Sequence, residues 1–110
     1  LHHKGCNKHH AEYWQDIVNG KTEPIDMPPR YFAEMMCDRI AASKIYLKDK
    51  YVQSSPLEYY ESHRDENQFS SVTTILLQYS LALLNNEGEE TLFTFLCKII
   101  EEEKRNLKKK

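Results

Sequence analysis

Four of the five histidines in this 110-residue chain fall within nine residues, as His2, His3, His9 and His10. Imidazole is the commonest side-chain metal ligand and titrates near neutral pH, so a cluster this dense is a candidate for metal chemistry. Cys6 sits inside the same window and adds a thiolate option. A second reading needs no ligand. His10 and Trp14 lie four residues apart and share one face of a helix, so the histidines can also cap the segment and pack on Tyr13 and Trp14. Both readings stand on the segment alone. Adjacent histidines on a helix point about 100° apart, so His9 and His10 do not both face one ion. His10, on the Trp14 face, is the inward one, which leaves His9 at the mouth of any site.

A carboxylate further along the chain weighs on the choice. Asp38 falls in the apolar stripe of a strong helical pattern, between Met35 and Ala42. A charge turned towards a core must be paired, because burying it alone is costly. Arg39 or Arg30 could serve in an internal salt bridge; a metal shared with the histidines is the sharper alternative. Glu34, one turn earlier, either supports such a ligand set or is a plain exposed acid, the usual state of glutamate. Histidines and carboxylates together suit zinc, manganese or iron. Such an ion with an open position makes bound water acidic and polarises a phosphoryl oxygen.

The elements that must position these residues read as helices joined by short breaks. Helices are expected near residues 9–18, 30–50, 56–64, 68–85 and 89–105. Asn7 can cap the first, and Asn19-Gly20 ends it, since both tolerate positive φ. Pro28-Pro29 opens the second, as proline suits a first turn. Its stripe is Tyr31, Met35, Ala42 and Ile45, flanked by Phe32, Met36, Ile40 and Leu47. Ser55 can cap the third helix, with Pro56 next and Glu58 in the first turn. Phe69, Val72, Leu76, Tyr79 and Leu83 form the stripe of the fourth, which Asn85-Asn86 and Gly88 close. Leu92, Phe93, Leu96, Ile99 and Ile100 line the fifth. No segment alternates with period two for long, so a sheet is improbable. The expectation is all-α, one compact bundle of about five helices spanning 1–110, with 101–110 a charged, frayed tail.

Composition bounds the rest. A formal charge of −2 gives no general attraction to nucleic acid or anionic membranes. The longest apolar stretch, Val72 to Leu84, is interrupted by Thr73, Thr74, Gln78 and Ser80 and falls short of the ~20 residues of a membrane span. Cys6, Cys37 and Cys97 are odd in number and widely spaced, which argues for free thiols and a cytoplasmic setting. Oligomeric state leaves no mark in the sequence. The chain begins at Leu1 rather than methionine, so an upstream segment is expected.

The string from His3 through Lys4-Gly5-Cys6-Asn7-Lys8-His9-His10-Ala11-Glu12-Tyr13 to Trp14 resembles the signature of a bacterial and phage family, domain-of-unknown-function family five-six-six-two. Met27-Pro28-Pro29-Arg30-Tyr31, Glu34 to Lys44, and Tyr46 to Tyr51 running into Ser54 to Tyr59 resemble its second block. The likeness covers roughly the first 60 residues. It implies an upstream Thr-His-Asp-Leu-Ser-Lys block, absent from this sequence. The order His-Asp, histidine-rich segment, later aspartate is similar to the ligand order of HD-type metal phosphohydrolases. That similarity implies His3, His9 and His10 as middle ligands, Asp38 as the closing one, and a nucleotide or other small phosphate ester as substrate. It also implies that this chain alone is short of a complete ligand set. The reading from a different class is a non-catalytic helical interaction module with structural histidines.

Overall fold

Val18 and Lys21 face each other across an antiparallel ladder, and that pairing sets the N-terminal part of the fold. The computed structural model of the chain describes residues 15–18, 21–63 and 69–108, with residues 15–18 and 21–23 as backbone only. Strands β1 (Gln15–Val18) and β2 (Lys21–Pro24) form a two-stranded hairpin, with Gln15 opposite Pro24. This corrects the expected helix at 9–18 over its last four residues; residues 9–14 lie outside those described. Asn-Gly between two short segments, the first ending in Ile17-Val18, is the strongest short-range hairpin signal. β-Branched side chains favour strand over helix at the same place.

Four helices follow among the described residues: α1 (Pro29–Leu47), α2 (Ser55–Ser62), α3 (Ser71–Glu87) and α4 (Glu89–Lys108), with a 3₁₀ turn at Lys48–Lys50 after α1. Apart from the hairpin, the described residues form the expected all-α bundle. The Pro28 carbonyl receives the Tyr31 and Phe32 amides at 3.1 and 3.0 Å, and Pro29 fills the first helical position. Ser70 caps α3, its Oγ accepting from the Thr73 amide at 3.2 Å. Ser54, rather than Ser55, stands at the head of α2; its hydroxyl donates to Glu58 Oε2 at 3.0 Å. Gly88 alone separates α3 from α4, at φ 97°.

α4 packs on both α1 and α3, and α2 bridges the same two helices. Phe32, Met36 and Ile40 from α1 meet Leu77, Leu81 and Leu84 from α3 and Leu92 and Leu96 from α4 in one buried cluster. Each such side chain contributes about 1.5–3 kcal/mol by leaving water. Thr73 Oγ1, buried beside this cluster, accepts the Met27 amide at 3.0 Å and so pins the segment entering α1 to the start of α3.

Two helix faces differ from expectation. On α1 the buried ladder is Phe32, Met36 and Ile40, with Ala33 and Met35, whereas Ala42 and Asp38 are exposed and Ile45 is 75% exposed. Asp38 therefore faces solvent, not the core. Two apolar ladders overlap on this helix, and the one carrying phenylalanine and methionine buries more surface. On α3 Val72 and Tyr79 are exposed, and the inward face is Thr73, Leu77, Ser80, Leu81 and Leu84. That helix is apolar almost all round, so periodicity alone does not select its inner side. α4 stays helical through Lys108, beyond the expected end near 105 and into the stretch expected to fray. None of the described helices is long and apolar enough to cross a membrane.

Candidate functional site, a cleft between the first two helices

The second half of α1 and the whole of α2 diverge enough to leave an open cleft of about 720 Å³. Asp38, Arg39, Ser43 and Tyr46 enter it from α1, Glu58 and Tyr59 from α2, with His63 just beyond that helix. The spacing explains the grouping. Arg39 and Ser43 are four residues apart, Tyr46 follows three later, and all share one side of α1.

Each polar group has a distinct environment. Arg39 is half-buried, and its Nε is sealed from solvent with no hydrogen-bond partner among the described residues. Burial draws its guanidinium below the ordinary value, while Tyr60, Tyr59 and Asp38 pull it back up. Glu58 is engaged by the Ser54 hydroxyl. Asp38, like Glu34, is exposed and has an interaction partner of its own. The His63 ring lies 3.0 Å through Nδ1 from the Tyr59 carbonyl oxygen and stacks on the Tyr59 ring at 4.1 Å. A carbonyl can only accept, so Nδ1 carries a proton, and Nε2 takes no part in that bond. Sequence reasoning passed over His63, a lone histidine with no neighbouring ligand type to mark it.

Among the described residues, Asp38 is the one expected ligand, and it lines the cleft, while Glu34 stands one turn earlier on the exposed side of α1. His3, His9 and His10 lie outside the described residues. No three His, Cys, Asp or Glu side chains among the described residues converge to hold a metal ion. Cys37 and Cys97 are exposed free thiols, as expected; Cys6 lies outside the described residues.

The sequence profile of a family of unknown function (DUF5662) matches residues 1–83, which covers the histidine-rich segment and all of the cleft. No curated protein and no solved structure matches the chain.

Proposed function

This chain belongs to that family of unknown function, and from that premise we propose that it is a divalent-metal-dependent phosphohydrolase acting on a small phosphate ester, HD-like in its ligand order. The observation that carries the reading is the place of Asp38: an exposed carboxylate at a cleft that also holds a half-buried arginine and a histidine held through Nδ1 by the Tyr59 carbonyl. In this reading Asp38 joins His3 and His10 in holding zinc, manganese or iron, with His9 at the mouth and Glu34 supporting the set. Such an ion, when bound, acidifies a coordinated water and polarises a phosphoryl oxygen. Arg39 orients the phosphate by its charge, and His63 accepts or returns a proton at Nε2. The Tyr59 carbonyl fixes that ring.

A second reading, a helical interaction module of the cytoplasm, draws on one observation. Val72, Ile75 and Tyr79 present a stripe along α3 that is 59%, 66% and 53% exposed, and runs of exposed apolar surface mark contact sites. Turnover separates the two. The full-length protein supplied with manganese or zinc should release orthophosphate from a phosphate monoester, and Asp38→Asn should lower that rate at least a hundredfold with the fold intact. No metal-dependent release would overturn the hydrolase and leave the module.

A further inference from the structure

We infer that the α1–α2 cleft binds a phosphate monoester of a ring-bearing alcohol, the phosphate against Arg39 and the ring against Tyr46 and Tyr59. The inference rests on the phosphate-ester reading above and adds the substrate class.

Arg39 supplies the first half of the argument. Its Nε is sealed from solvent and so closed to a ligand as well, while Arg39 itself lines the cleft. An oxyanion entering the cleft meets that positive charge, and the planar fork of arginine matches phosphate geometry. Ser43, one turn beyond Arg39, places a hydroxyl on the same wall.

The aromatic walls supply the second half. Tyr46 from α1 is 84% exposed and Tyr59 from α2 is 57% exposed, yet both line this one cavity. Tyr59 is backed by His63, stacked at 4.1 Å with the rings 16° from parallel, which braces one face and leaves the rest of the ring to a ligand. Exposed tyrosines facing one cavity from two helices form a stacking platform, and stacking on such rings tolerates any planar heterocycle. A volume of about 720 Å³ lies within the ~300–1,000 Å³ of small-molecule sites, ample for a phosphate, a sugar and a ring.

The test is calorimetric titration of the protein in excess chelator, so that binding is read without metal and without turnover. The probes are inorganic phosphate, glycerol 3-phosphate, 4-nitrophenyl phosphate, adenosine 5′-monophosphate and adenosine. The two ring-bearing esters should bind about tenfold or more tightly than glycerol 3-phosphate. Arg39→Gln should weaken every phosphate probe about tenfold to a hundredfold and leave adenosine unchanged. Tyr46→Ala, at a site too exposed to matter to the fold, and Tyr59→Leu should each reduce the preference for the ring. The inference is overturned if no ester binds at millimolar concentration, if the ring preference survives both tyrosine changes, or if folded Arg39→Gln protein binds esters as tightly as the parent. Ester binding without metal-dependent turnover upholds the cleft and removes the hydrolase; turnover without ring preference does the reverse.

Discussion

Arg39 and Cys37, two residues apart on α1, show how one helix gives neighbouring side chains opposite chemistry. Arg39 turns into the cleft and loses water. Cys37 lies on another side, exposed, yet partial desolvation against the bundle pushes its thiol above the ordinary value, with the negative charge of Cys97 and Glu34 adding to the effect. The thiolate is the nucleophile, and a raised pKa means less of it at any given pH. Cys37 should therefore react with iodoacetamide more slowly than free cysteine at pH 8, and its rate should keep climbing above the pH where free cysteine levels off. Peptide mass spectrometry after timed alkylation distinguishes it from Cys6 and Cys97; a Cys37 rate equal to or above that of free cysteine would contradict the assignment. At this scale the sequence was informative about residue type and silent about environment. Asp38 was legible as an unusual carboxylate, but the stripe that made it look inward was the wrong one of two. His63 was invisible, because its importance comes from the Tyr59 carbonyl and ring, which only the end of α2 brings to it.

Element boundaries were the most legible feature, because their signals are local. Pro28-Pro29 opens α1, Ser54 to Pro56 opens α2, and Gly88 closes α3 as the sequence suggests. Helix faces were less legible, since α1 and α3 each carry more apolar positions than one face needs. The hairpin was missed because an Asn-Gly pair is a sequence signal for a helix stop as well as for a hairpin, and only the pairing of Ile17 with Thr22 decides. Gly88 is the sharpest test of the element scale. Its φ of 97° is one that other residues rarely adopt, while an added Cβ would meet Gln53 Oε1 at an ordinary 3.6 Å. The cost of Gly88→Ala is thus backbone strain, about 1–3 kcal/mol. Urea unfolding should show that loss with an unchanged slope; an unshifted midpoint would mean the α3–α4 joint relaxes freely.

Across the whole molecule, the bundle holds a cleft open on one side and pins the segment entering α1 on the other. Lys44 and Glu89 tie the end of α1 to the start of α4 at 2.7 Å, while Met27 is bonded to Thr73 of α3. α1 thus has a tie to another helix near each end, and it carries half of the cleft residues. The all-α class was readable from periodicity and from the scarcity of glycine and proline. The cleft was not, because it is made by the divergence of two helices and no residue pattern encodes that angle. The central claim is that Asp38 completes a metal site with histidines more than 25 residues away in the sequence. Calorimetric titration of the protein with zinc and with manganese, beside Asp38→Asn, tests it most directly. The account predicts one binding event per chain that Asp38→Asn weakens at least tenfold without altering the helical circular dichroism spectrum. Equal affinity in the parent and in Asp38→Asn, or no binding of either ion, would contradict it.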